Sequence, residues 1–154
     1  MSFRITGLPS EPFEELFSLS DAALAERQAR RVTADTAHGF PCRISLTDAQ
    51  PGQSLILLNY QHQAADSPFR ASHAIYIRQG EQQYDEVDQI PEQLQRRLLS
   101  VRGFDGQGMM LEADVVEGKV LEPLIERLFT NASIDYLQIH IARPGCYAAR
   151  VERA

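Results

Sequence analysis

Two cysteines, four histidines and a set of cations that is arginine at every position but Lys119 are the side chains able to do chemistry in this 154-residue chain. Cys42 stands between Pro41 and Arg43, and Cys146 follows Arg143-Pro144-Gly145. A thiol beside a guanidinium is set up for thiolate chemistry, because a fixed positive charge stabilises the anion. A cysteine nucleophile also needs a base, and His38, His62, His73 and His140 could each supply one. The enzyme reading therefore takes Cys42 or Cys146 as nucleophile or redox thiol, with His140 as base.

A second chemistry is anion capture. Arg43, Arg70, Arg78 and Arg143 all lie next to predicted turns or strand ends. Convergence of any two would make a clamp for a carboxylate or phosphate, since the planar guanidinium fork matches those groups. A third is metal binding. His38, Cys42, His140 and Cys146 have the ligand types of a structural zinc, but their spacings fit no finger or ribbon pattern, so no metal is assigned. No cofactor is expected. Walker A, Gly-x-Gly-x-x-Gly, Gly-x-Ser-x-Gly and His-Glu-x-x-His sequences are all absent.

The elements that must position these residues follow from periodicity. Phe3 and Ile5 alternate with polar neighbours, as in a strand. Ser10 and Pro12 open a helix with Phe13, Leu16 and Phe17 on one face. Ser18 and Asp21 form a capping pattern for a second helix running to about Arg31. Cys42–Leu46 reads as a short strand, and Leu55–Tyr60 as a strand apolar on both faces. A loop from His62 to Ser72 precedes a strand over His73–Arg78. The stretch Glu81–Asp88 is acidic and exposed. Pro91 opens a short helix, and Asp105-Gly106 joins strands Leu98–Phe104 and Gln107–Val116 as a hairpin. Leu121, Leu124, Ile125, Leu128 and Phe129 mark an amphipathic helix with Pro123 in its first turn. Ile134–Ala142 and Cys146–Val151 are the last two strands. The sum is a single α+β domain over residues 1–154: a mixed, mainly antiparallel sheet of seven or eight strands with three or four helices packed on it.

The last hairpin carries the most information. With Pro144 and Gly145 as a two-residue turn, Arg143 lies opposite Cys146 and Ala142 opposite Tyr147. Tyr136, Gln138, His140 and Tyr147 then share one sheet face, beside the small Ala142 and Ala149. Leu137, Ile139 and Ile141 share the other face. A polar concave face of this kind is where a ligand could lie, with His140 and Tyr147 orienting it.

Charge and hydropathy narrow the partners. A net charge of −6 argues against nucleic acid, which requires a basic footprint. The longest apolar run, Leu55–Leu58, is too short to span a bilayer. Met1–Thr6 lacks the apolar stretch of a signal peptide, so a cytoplasmic location is expected. Two cysteines in such a chain imply no disulfide framework.

Four segments together resemble a bacterial family known as domain of unknown function 1203. They are Gly39-Phe40-Pro41-Cys42-Arg43, Leu55–Tyr60 after Pro51-Gly52, Ala74-Ile75-Tyr76-Ile77-Arg78, and Ala142-Arg143-Pro144-Gly145-Cys146-Tyr147. The resemblance implies a bacterial cytosolic protein and brings no activity, cofactor or partner. The leading functional expectation is a domain binding a small anionic molecule through Arg43, Arg70, Arg78, Arg143 and Tyr147 on a polar sheet face. The alternatives are the cysteine-dependent enzyme or redox protein, and a homodimeric interaction module without catalysis, meeting its partner through an exposed sheet face or edge.

Overall fold

The alternation at Phe3–Thr6 does form a strand, β1, in the computed structural model, which describes residues 1–154. It is followed by a 3-10 helix (Glu11–Ser18), α1 (Asp21–Glu26), β2 (Ala29–Thr33), β3 (Ser54–Gln63), β4 (Ala71–Ile77), β5 (Asp85–Val87) and α2 (Glu92–Gln95). Then come β6 (Leu98–Phe104), β7 (Met110–Glu117), a 3-10 turn (Gly118–Val120), α3 (Leu121–Phe129), β8 (Tyr136–Ile141) and β9 (Tyr147–Arg153). The chain is α+β, with nine strands in two sheets.

Where one sheet was expected, there are two. The larger has the order β5-β1-β9-β8-β6-β7 and the smaller β2-β3-β4. Every strand pairing within them is antiparallel. The predicted strand–helix–strand crossover exists, from β7 through α3 to β8. It produces no parallel pair because β6 lies between β7 and β8 and pairs antiparallel with both.

Three layers result. On one face of the large sheet, Leu137, Ile139 and Ile141 of β8 share a core with Leu121, Leu124, Ile125, Leu128 and Phe129 of α3. All five predicted apolar positions of α3 are buried, and Pro123 sits in its first turn, where its missing N–H costs nothing. The small sheet covers the opposite face, sharing a second core that includes Ile56, Leu58, Ile75, Ile77 and Tyr147.

Several boundaries move for local reasons. The second helix ends at Glu26 rather than Arg31, because Gln28 takes a left-handed φ of 51° and turns the chain into β2. Arg30 and Arg31 thus lie on a strand paired with β3. The cap of α1 is Ser20, whose hydroxyl accepts from the Ala23 N–H, and not Ser18. Asp85–Val87 is exposed as expected but also pairs with β1, a strand too short and too polar to show a period. The β3–β4 hairpin extends into the expected loop, leaving only residues 64–70 as connection.

Cys42–Leu46 is not a strand. It is a buried turn whose backbone bonds go to several neighbours: Cys42 N–H to Thr47 O, Arg43 N–H to Tyr76 O, and Leu8 N–H to Arg43 O. Gly7 makes that approach possible. A Cβ there would lie 2.2 Å from Ile44 O and 2.9 Å from Arg43 O, closer than real contacts allow. Gly7→Ala is therefore expected to cost at least about 1–3 kcal/mol as an overpacking strain. A denaturant titration showing an unchanged midpoint would contradict this account of how the turn is held.

Candidate functional site at the Arg43–Cys146 cleft

The β8–β9 connection is wider than a two-residue turn. Gly145, at φ 82°, donates its N–H to Ile141 O, and the Ile141 N–H goes to Cys146 O. Residues 142–145 form the loop, so Cys146 is the first residue on its far side. His140 pairs with Tyr147 and Ile139 with Ala149, with a register shift between the two pairs. The wider loop corrects the expected pairings of Arg143 with Cys146 and Ala142 with Tyr147, and the register shift adds an extra residue on β9. That residue moves Ala149 to the α3 side, while Tyr136, Gln138, His140 and Tyr147 stay together.

That shared face is not open to ligands, because the small sheet lies on it. His62 of β3 stacks on Tyr147 with centroids 5.5 Å apart and meets His140 edge-on at 4.8 Å. The His62 Nδ1 and Gln138 Oε1 are 2.9 Å apart, and Gln138 Nε2 donates to His62 O at 2.9 Å. Gln63 Nε2 donates to the Tyr136 hydroxyl at 2.7 Å. The polar alternation seen in β8 thus serves an internal hydrogen-bonded layer. Tyr147 is buried in it, and that burial pushes its phenol well above the usual range.

His140 belongs to the same layer. Its Nδ1 donates to Gly145 O at 3.0 Å, and its Nε2 lies 3.2 Å from Gln138 Oε1. Burial, reinforced by Arg102, His62 and His73, pushes its pKa down to about 3, against the opposing bond to Gly145. The neutral, buried ring has a single N–H, spent on Gly145 O, and neither ring nitrogen is bonded to a thiol. The geometry gives it the role of a neutral packing residue that braces the loop at Gly145.

The Pro-Cys-Arg and Arg-Pro-Gly-Cys segments do meet. Arg43 is 1% exposed. Its Nε donates to Tyr147 O at 2.7 Å, Nη1 to Pro41 O at 2.5 Å and Nη2 to Cys146 Sγ at 2.8 Å. No carboxylate is among its partners. A buried cation normally takes an anionic partner, since desolvation alone is costly. Here the only side-chain atom that receives a bond from the guanidinium is a sulfur. Burial lowers the Arg43 pKa, Cys146 opposes that shift, and the nearby Arg97 adds to it.

Arg43 and Cys146 form the floor of a cleft of about 440 Å³ between the small sheet and the β8–β9 loop. Its walls are largely apolar: Pro41, Leu57, Ala74, Ile141 and Pro144. Its polar rim holds His38, His73 and Arg97, and no aspartate or glutamate lines it. Asp48 sits behind the rim, where it accepts from Arg97 Nη2 at 2.9 Å and Nη1 at 3.2 Å, and lies 3.2 Å from His38 Nδ1. One of the two arginine charges is thereby neutralised and Arg43 is left.

The remaining predicted site residues lie elsewhere. Cys42 is 1% exposed in the second core, bridged to Tyr76 and absent from the cleft lining. Arg70 is exposed and donates to Ala64 O within its own loop. Arg78 pairs with Glu81 at a separate depression. Arg143 is exposed on the β8–β9 loop. The four arginines therefore do not converge, and only Arg43 lines the cleft. No group of three His, Cys, Asp or Glu side chains is placed to hold a metal ion. Sequence reasoning missed Arg97 and Asp48 altogether, since nothing in their local pattern sets them apart from other surface charges.

With the cleft defined by the Pro41–Arg43 and Arg143–Cys146 segments, the comparison with known families is decided by the region that carries both. The family pattern described as "Protein of unknown function (DUF1203)" matches residues 39–153. The chain belongs to this family. The match begins at Gly39 on the cleft wall and runs through β9, so it spans every residue that lines the cleft except His38. No curated protein and no solved structure matches the chain.

Proposed function

We propose that this DUF1203 chain binds a small organic anion with an apolar body in the Arg43–Cys146 cleft. The observation that carries this reading is electrostatic. Arg43, an arginine with no carboxylate partner, lines the cleft with Arg97 and two histidines, and no carboxylate lines it, in a chain whose net charge is −6. Two other depressions of similar size mix signs: Asp48, Glu92 and Arg96 line one, and Glu14, Glu81 and Arg78 another. A one-sign concavity with apolar walls focuses its field on an incoming anion. The site differs from the sheet face expected from sequence, but Arg43 serves it in the same role.

The setting is consistent with a bacterial cytoplasmic protein, as the family resemblance implies. Both cysteines are free and buried, which suits a reducing compartment. No helix is long and apolar enough to cross a membrane. Neither the acidic net charge nor the cleft suits nucleic acid. Homodimerisation through the exposed β7 edge is less favoured. Although Leu111 and Val115 are exposed there, Glu112, Asp114 and Glu117 would face like charges in a self-paired edge.

The test is a thermal-shift series with hexanoate and phenyl phosphate against hexanamide, on the wild type and His73→Ala. At a hundred times its dissociation constant an anion adds about 2.7 kcal/mol of stability, a shift of several degrees. The anions should raise the melting temperature, the amide should not, and His73→Ala should weaken the response. No shift with either anion, or an equal shift with the amide, would sink the reading.

A further inference from the structure

We propose that Cys146 is a redox thiol that reduces peroxides entering the cleft, with the Arg43 guanidinium holding the negative charge that passes from sulfur to the departing oxygen. The inference rests on the cleft described above but adds chemistry to it.

Three observations carry it. The first is the 2.8 Å contact from Arg43 Nη2 to Cys146 Sγ, made by a buried cation that has no carboxylate among its partners. A guanidinium at hydrogen-bond distance stabilises negative charge carried by Sγ as sulfur reacts. The second is access. Cys146 lines the cleft, whereas Cys42 does not. The third is what the site lacks. Attack on a carbonyl requires a base bonded to the thiol and donors for an oxyanion. No histidine nitrogen is bonded to Cys146, and the single N–H of His140 is spent on Gly145 O. Displacement at a peroxide oxygen needs neither a protein base nor an oxyanion hole. It needs a charged sulfur and a cation beside the leaving oxygen.

The step balances. A sulfur electron pair attacks the terminal oxygen of the hydroperoxide, an S–O bond forms and the O–O bond breaks. Sulfur is oxidised to the sulfenic acid, the peroxide is reduced, and the departing oxygen takes a proton from solvent, matching the one released when the thiol ionised, to give an alcohol or water. One molecule of a low-molecular-weight thiol then condenses with the sulfenic acid, releasing water. A second displaces Cys146 from the mixed disulfide, leaving the small-molecule disulfide. The apolar walls favour an organic hydroperoxide over hydrogen peroxide.

The experiment treats the full chain at pH 7 with hydrogen peroxide or cumene hydroperoxide in the presence of dimedone. Mass spectrometry then locates the adduct. The expected result is an adduct on Cys146 and not Cys42, formed at least about tenfold faster than on a free small thiol, with cumene hydroperoxide the better substrate. Cys42→Ser should keep the adduct and Cys146→Ser should abolish it. Arg43→Lys should slow the reaction about tenfold, and if that variant does not fold, the wild-type rate against the free thiol decides alone. Oxidation of Cys146 no faster than the free thiol, or equal labelling of Cys42, overturns the inference. The thermal-shift series repeated on Cys146→Ser separates the two claims. An anion shift without fast oxidation leaves binding and removes the redox role, and fast oxidation without an anion shift does the reverse.

Discussion

Arg43→Ala is expected to lower the unfolding free energy by about 3–5 kcal/mol, a large fraction of what a domain of this size has. The side chain is a staple between distant segments. It donates to Pro41 O two residues away and to Tyr147 O and Cys146 Sγ across the inter-sheet contact. Truncation leaves these acceptors buried without donors and opens a void. With a urea slope of about 2 kcal/mol per molar, the midpoint should fall by about 2 M. The comparison within the arginine set makes the result interpretable. Arg78→Ala breaks a partly exposed pair with Glu81 and should cost under about 1 kcal/mol. Arg143→Ala alters an exposed loop position and should leave the midpoint unchanged within error. Three of the four arginines that look alike in sequence are thus expected to separate into one large effect, one small and one nil. A cost at Arg43 no greater than at Arg78 would remove the staple and, with it, the argument that a buried positive charge faces Cys146.

Acid should destabilise the fold through His140. Burial holds this histidine neutral, with its pKa pushed down to about 3, while in the unfolded chain it titrates near 6.5. The depressed folded value means the unfolded state takes up the proton first. The contribution is fully present above about pH 6.5 and is lost as pH falls from there toward 3, at about 1.4 kcal/mol for each pH unit. Arg102, His62 and His73 all act in the same direction on the ring, and only the bond to Gly145 opposes them. His62 is itself lowered by burial, so it adds to the acid sensitivity. Unfolding free energies at pH 7, 6, 5 and 4 should therefore show a steeper fall in the wild type than in His140→Gln, by up to one proton's worth of slope. Parallel curves for the two would mean that His140 is protonated in the fold or is exposed, and that the layer around Gln138 is arranged otherwise. Titration of carboxylates common to both proteins cancels in this comparison.

The two results bear on one place. His140 braces Gly145, Gly145 sets the turn that presents Cys146, and Arg43 ties Cys146 and Tyr147 to the Pro41–Arg43 turn. Loss of either should disturb the cleft from a different side. The fold itself places these groups without help from a disulfide or a metal ligand set, since both thiols are free and no metal cluster exists.

How much of this was legible beforehand varies with the range of the interaction. The helix over Leu121–Phe129 was visible in five apolar positions, because one face of one element meets one core. The strand Tyr136–Ile141 was visible in its alternation, including which side is apolar. The meaning of its polar side was not. Gln138 and His140 have the same local pattern whether water, a ligand or another sheet lies over them, and it is His62 and Gln63, from far along the chain, that cover them. The strand expected at Cys42–Leu46 failed for a related reason. Apolar residues in a short segment signal burial, but the pairing partners that would make it a strand are taken by a turn on Gly7, Tyr76 and Thr47.

The residue types of the site and the two segments that bear it follow from local sequence: a thiol after Pro-Gly, a guanidinium after Pro-Cys, and turns that carry both. Which arginine meets which cysteine does not. Arg43 bonds Cys146 rather than its neighbour Cys42, and Arg97 and Asp48 join the same cleft, because the two sheets close on one another there. Periodicity records which face of an element is buried, whereas the identity of what buries it depends on contacts between residues remote in sequence. The sign of the cleft, cationic in an acidic protein, is a property of that closure alone.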